Sequence, residues 1–196
     1  MKYYNVIAID LAKNIFQVCV MTKQNKVFSN KTLSRAKLIG YLAQQPVSLV
    51  AMESCGGANY WGRLAKSLGH DVMMIPARQV TAFRTGQKTD ANDAVAIAVA
   101  SQAANIRPAR CLSAEEQGLQ SVDKMRELLD RQKTQISNQV RGLLLEFGII
   151  ISKGSAAFKS RLPEILEDAE NELPIPMRQS LFQLWEFYAR VEEQFE

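Results

Sequence analysis

Histidine occurs once in these 196 residues, as His70, and cysteine three times, as Cys19, Cys55 and Cys111, with no C-x-x-C pair. That poverty excludes a disulfide scaffold and a zinc ribbon. Each cysteine is expected as a small buried hydrophobe. Cysteine–histidine catalysis would need His70, but LGHDV reads as a turn feeding a strand, where a surface or capping role is expected. Long apolar runs are also missing. None approaches the ~20 residues of a membrane span, so no membrane partner is expected. The start, MKYYNVIAID, lacks the basic segment, apolar stretch and small-residue cleavage site of a secretory leader, which points to a cytoplasmic protein.

What is present is ordinary globular composition, 47% hydrophobic and 22% charged. The length suits one domain with an appendage. The net charge of +4 hides a division: residues 1–111 sum to +9 and residues 112–196 to −5. An excess of that kind favours a polyanionic partner, because neutralised phosphates release counterions, although a solvated basic surface has the same composition.

Two regions follow from the hydrophobic pattern, 1–111 and 112–196. In the first, Tyr3 to Leu11, Ile15 to Met21 and VFSNKTL read as three strands, the last two joined by a polar turn at Lys23-Gln24-Asn25-Lys26. Ser34 opens a helix to about Gln44, and VSLVAM is a buried strand ending at Glu53. Gly56 and Gly57 open a helix closed by Gly69, and DVMMI is a fifth strand. A short helical stretch after Pro76, the loop GQKT and an alanine-rich helix from Asp90 to about Ala104 complete an α/β region.

The second region is helical. Ser113 and Glu116 form a capping box for one helix to about Phe147. Val122, Leu129, Ile136 and Leu143 repeat every seven residues, with Leu119, Val140 and Phe147 at the partner position and Arg126 and Lys133 at that position in the middle. Such a mixed seam fits a coiled coil, the first expectation, or a helix with one side on nucleic acid. A linker near 152–156 and an acidic segment ending in LPIP lead to a last helix from about Met177, where Met177, Leu181, Leu184, Tyr188, Val191 and Phe195 form a second seam. That pattern still runs at Glu196 without a stop signal, so continuation of the natural chain is expected.

Four carboxylates stand out. Asp10 closes VIAIDL and Glu53 follows VSLVAM, and an acid at the end of a buried strand is costly unless paired or bound. With the first strand central, the two strand ends are neighbours. Asp90 and Asp93, three apart, share one helix face. Taken singly, Asp90 can be a helix cap and Asp93 the partner of a lysine. Taken together, four acids around one point repel unless divalent cations neutralise them, and oxygen ligands suit Mg²⁺ or Mn²⁺ in phosphodiester chemistry.

The blocks IDLAKNIFQV, AMESCGGANYWGRL and KTDANDAVAIA, with the helical tract RQKTQISNQVRGLLLEFGI, closely resemble the DEDD insertion-sequence transposases, a family that includes Piv-type DNA invertases and bridge-RNA-guided recombinases. The resemblance runs from about Tyr4 to Ile151. It implies a ribonuclease-H-like (RuvC-like) mixed sheet with flanking helices, in which Asp10, Glu53, Asp90 and Asp93 match the catalytic, metal-binding acids. It further implies Mg²⁺- or Mn²⁺-dependent cleavage and exchange of DNA strands, directed by a structured guide RNA. It also implies a further C-terminal domain bearing a serine nucleophile, which no serine here matches. Lys13, Arg63, Arg84 and Lys88, in or next to the blocks, and Arg126 and Lys133 on the long helix are the expected nucleic-acid contacts. The two seams suggest a homo-oligomer, a dimer or larger, with an intrachain hairpin of the same helices as the alternative.

Two other classes remain in view. A sugar-kinase or actin-like ATPase would want a glycine-rich phosphate turn after the first strand, where Asp10 is followed by Leu-Ala-Lys-Asn. A nucleic-acid-binding or oligomerisation module without chemistry would share the charge and the seams.

Overall fold

The computed structural model describes residues 5–22 and 24–193. Tyr3, Tyr4, Lys23, Phe195 and Glu196, which entered the expectations above, lie outside them. The chain forms two compact units, Met1–Gln117 and Gly118–Glu196.

In the first unit the order is β1 (Val6–Asp10), β2 (Ile15–Met21), β3 (Val27–Ser34), α1 (Arg35–Ala43), β4 (Leu49–Glu53), α2 (Ala58–Ser67), β5 (Asp71–Ile75), α3 (Ala77–Val80), a 3₁₀ turn (Thr81–Phe83) and α4 (Asp90–Ala100). One sheet of order β3-β2-β1-β4-β5 results, with β2 antiparallel to β1 and β3, and β4 parallel to β1 and β5. This is a mixed α/β sheet with flanking helices, as expected.

Side chains alternate across this sheet. Ile7, Ile9, Phe16, Val18, Val50 and Met52 meet Leu38 and Leu42 of α1 and Trp61 and Ala65 of α2. Val6, Ala8, Cys19, Met21 and Ala51 meet Ala94, Ile97 and Ala98 of α4. Small side chains on both surfaces let α4 lie close to the strands. Burial of the Cys19 thiol in this layer pushes its pKa up to about 11.

Helix ends follow local chemistry. Gly69, at φ 87°, donates to the Lys66 carbonyl while His70 N–H donates to that of Ala65, the paired bonds of a left-handed helix stop. His70 is not at the surface. It is buried, accepting the Ser48 N–H at Nδ1 (3.3 Å), so Nε2 carries the proton given to the Leu42 carbonyl (3.0 Å). The imidazole thus serves the end of α1, a capping role in a buried place, because two backbone groups there lack water. Cys55 also departs from expectation, being exposed in the turn after β4, and Cys111 is half-buried.

α5 (Ala114–Leu145) begins in the first unit and continues into the second. Its start is the expected capping box: Ser113 N–H donates to Glu116 Oε2 (2.9 Å) and Glu116 N–H to Ser113 Oγ (3.1 Å). The second unit also holds α6 (Ser155–Glu167) and α7 (Ile175–Glu193). α6 falls where a linker and an acidic segment were expected; Pro163 inside it masked a buried Phe158, Leu162, Ile165 face. Those residues pack with Val140, Leu144, Leu181 and Tyr188 in one intrachain core. Leu143, expected on the seam, is 38% exposed, whereas Leu144 is fully buried. A straight helix drifts ~20° per heptad, and three-helix packing keeps Val140 of the expected seam while selecting Ser137 and Leu144 beside it. Arg178 closes α6 by donating to the Ile165 (3.1 Å) and Leu166 (2.7 Å) carbonyls.

Among the described residues, no helix is long and apolar enough to cross a membrane.

Candidate functional site

The sheet's periodicity places the first two acids. Val6 and Ala8 face α4, and in the next pleat so does Asp10; Leu49 and Ala51 face α4, and so does Glu53. The parallel register Ala8 with Ala51 and Ile9 with Met52 leaves Asp10 and Glu53 on adjacent strands at the same edge. α4 then supplies Asp90 in its first position and Asp93 one turn on. Residues 1–111 contain only five acidic side chains, and four of them are gathered at this edge of a +9 region.

Electrostatics show the gathering. Asp10 has its pKa raised to about 6, first by desolvation and then by the charges of Asp93, Asp90 and Glu53, with Lys88 pulling the other way. Among the described residues, no group of three His, Cys, Asp or Glu side chains stands close enough to clasp a metal ion.

Neighbouring residues fix the start of α4. Thr89, not Asp90, is its cap, accepting the Asn92 N–H at Oγ1 (3.3 Å). Asn92 holds the preceding loop by donating from Nδ2 to the Gln87 carbonyl (2.8 Å). From the sheet, Asn30 Nδ2 donates to the Ala91 carbonyl (2.9 Å). Asn30 Oδ1 accepts from Gln17 (2.6 Å), whose Oε1 accepts from Thr32 (2.9 Å), and Gln17 is paired with Asp10 across the β1–β2 ladder. Asn30 and Gln17 thus tie the start of α4 to the sheet, a link that sequence reasoning missed. Gln17 carried a signal as a polar side chain among Ile15, Cys19 and Met21 on one face of β2, whereas Asn30 lies on a largely polar strand and carried none.

The six expected nucleic-acid cations divide. Lys13 and Lys88 are exposed beside the acids in sequence or in space. Arg84 Nη1 lies 3.3 Å from Asp93 Oδ1, so Asp93 has an arginine for a partner rather than a lysine. Arg63 is held inside the first unit, donating to the Leu112 carbonyl (3.0 Å) and Gln117 Oε1 (2.7 Å). In the second unit Lys133 lies between Asp130 (3.7 Å) and Glu192 (3.9 Å) and is 18% exposed, whereas Arg126 is exposed.

Comparison with known proteins adds the lineage. Residues 7–149 match the family profile of the IS110-type DEDD transposases, described simply as transposase. The chain is 40% identical over 179 residues to a probable family 20 transposase of Pseudomonas aeruginosa, covering 91% of this chain and 53% of that protein. It is 35% identical to the transposase for insertion sequence element IS1111A of Coxiella burnetii, over 85% of this chain and 46% of that one. It is also 35% identical to the transposase for IS1328 of Yersinia enterocolitica, over 97% and 56%. The chain spans about half the length of these curated relatives. Among solved structures, Thermus thermophilus RuvC is similar at a TM-score of 0.40 and 13% identity, over 54% of this chain and 99% of RuvC. With a family match over residues 7–149, the chain belongs to the IS110-type DEDD transposase family.

Proposed function

We propose that the first unit is the metal-dependent DNA-cleaving part of an insertion-sequence recombinase, of ribonuclease-H-like (RuvC-like) type. The carrying observation is the register of β1 on β4, which sets Asp10 and Glu53 side by side on the face covered by α4, where Asp90 and Asp93 begin the helix. The donor set fits a hard divalent cation: all four are carboxylates, and Asp10 is raised first by burial and then by the charges of the other three.

Asp10, Glu53, Asp90 and Asp93 would hold Mg²⁺ or Mn²⁺. When bound, the ion activates an attacking oxygen and stabilises the leaving one in phosphodiester cleavage. The protein's own groups do the rest. Asn30 and Thr89 fix the first turn of α4 so that Asp90 and Asp93 keep their aim. Asp93, now paired with Arg84, would hold the ion in place of that guanidinium, and Arg84 would then be available to a phosphate oxygen. Lys13 and Lys88 supply further phosphate contacts beside the acids. Arg63 and Lys133, although each already has protein partners, and the exposed Arg126 on the helical unit complete the proposed set of phosphate contacts. For the whole protein, the reading is full strand exchange in the cytoplasm by a homo-oligomer on DNA chosen by a structured guide RNA, with a serine-bearing region supplying the nucleophile.

A second reading, a nucleic-acid-binding and oligomerisation module without chemistry, is favoured by the absence among the described residues of three ligands already close enough for an ion. Thermal melting separates the two. Millimolar Mn²⁺ or Mg²⁺ should raise the melting temperature through mass action, and Asp10→Asn or Glu53→Gln should weaken the rise. A wild-type melt indifferent to both ions would remove the metal-dependent reading.

A further inference from the structure

A cavity of about 480 Å³ lies at the same edge of the sheet but on the side of α1 and α2. It is built from the two segments that directly follow the acids: Leu11 to Lys13 after Asp10, and Cys55 to Gly57 after Glu53. Arg35, Tyr60 and Trp61 complete it. The Arg35 guanidinium lies 5.3 Å from the Tyr60 ring centre and 5.1 Å from that of Trp61, and its Nη1 donates to the Lys13 carbonyl (3.4 Å). The wall therefore joins an arginine to tyrosine and tryptophan rings, with Tyr60 43% exposed and Lys13 exposed at the rim.

That combination suits a nucleotide. Two cations answer a phosphodiester, and a guanidinium backed by aromatic rings offers a face on which an unpaired base stacks. A protein segment would want an apolar groove or an open strand edge, and this cavity offers neither. No carboxylate lines it, although Asp10 and Glu53 adjoin it in the chain. Gly56 leaves room: a Cβ there would meet nothing within 4 Å, and its backbone is not left-handed.

We infer that this cavity holds one unstacked nucleotide of a single strand whose neighbouring phosphate lies at the Asp10–Glu53 edge. This rests on the proposed function for the strand's identity as nucleic acid. The placement gives the strand a path over the edge of the sheet: backbone at the acids, adjacent base against Tyr60 and Arg35.

The test uses the 196-residue chain with fluorescent ten-residue oligodeoxythymidylate and, in parallel, oligouridylate. Gly56→Leu fills the cavity and should leave the melting temperature unchanged while weakening binding about tenfold; Tyr60→Ala should do the same and Tyr60→Phe should not. Bound oligonucleotide should also slow maleimide labelling of Cys55, the exposed cysteine in the cavity wall. Selective loss of either strand in Gly56→Leu supports the inference, and the tighter one names the strand. Unchanged binding of both by folded Gly56→Leu, or unprotected Cys55 in the wild-type complex, overturns it. Mn²⁺ stabilisation keeps the two readings apart. If it persists while Gly56→Leu has no effect, only the nucleotide subsite fails; if it is absent while binding depends on Gly56, the metal-dependent reading fails.

Discussion

Arg84 Nη1 lies 3.3 Å from Asp93 Oδ1, joining the segment after the 3₁₀ turn to the first turn of α4. Both side chains are partly exposed, at 30% and 22%, so the pair contributes at most about 1 kcal/mol to folding. Its larger effect is on who holds Asp93. Arg84→Ala should leave the metal-free melting temperature nearly unchanged and lower the Mn²⁺ concentration needed for stabilisation, because a competing cation is gone. A Mn²⁺ titration followed by thermal melting checks this, and a higher Mn²⁺ requirement would count against the proposed exchange.

Asp10 gives a pH signature in the absence of metal. Its folded pKa, about 6, is above the ordinary 3.8, so the fold favours the protonated acid. The destabilisation is absent below pH ~4, grows as pH rises through the interval, and is complete above about 6. Asp10→Asn should therefore stabilise the metal-free protein at neutral pH, by on the order of 1–2 kcal/mol after allowance for solvent screening, and make no difference near pH 4. Melts in chelator across that range measure the gap. A gap independent of pH would show that Asp10 does not titrate as described.

His70 joins two buried backbone groups, the Ser48 N–H and the Leu42 carbonyl. His70→Leu keeps the volume but removes both partners, so about 2–3 kcal/mol of stability should be lost, read from urea denaturation. Loss below about 0.5 kcal/mol would mean that water replaces the imidazole there.

On the N-terminal half of α5, Leu119, Val122, Met125 and Leu128 are exposed by 48% or more. They form an apolar stripe, and a second copy of the chain is the proposed cover. Light scattering over a concentration series should show a dimer, and Val122→Glu with Met125→Glu should return a folded monomer. A wild-type chain monomeric throughout would leave the stripe to the remainder of a full-length relative.

The order of strands and helices in the first unit was legible because local signals agreed: alternating runs for the strands, Gly69 closing α2, Ser113 and Glu116 opening α5. Asp10 and Glu53 were legible for a related reason, since a carboxylate ending an apolar strand contradicts burial unless something compensates it, whereas Asp90 and Asp93 were read from their spacing on one helix face and from the resemblance. The second unit was read less well. Pro163 hid α6, and a seven-residue repeat put Leu143 where packing put Leu144. Which face of α5 is covered depends on α6 and α7, and no local pattern on α5 contains them.

By itself the sequence determined the identity and spacing of Asp10, Glu53, Asp90 and Asp93, because strand ends and a helix start are set by nearest neighbours along the chain. Only the tertiary structure decided that Arg84 holds Asp93, that Arg63 is tied to Leu112 and Gln117, and that Arg35 lies over Tyr60 and Trp61. A long cationic side chain reaches several partners at similar energy in the unfolded chain. The partner it keeps is whichever the packed sheet and helices bring within a few ångströms, a distance that sequence separation does not encode.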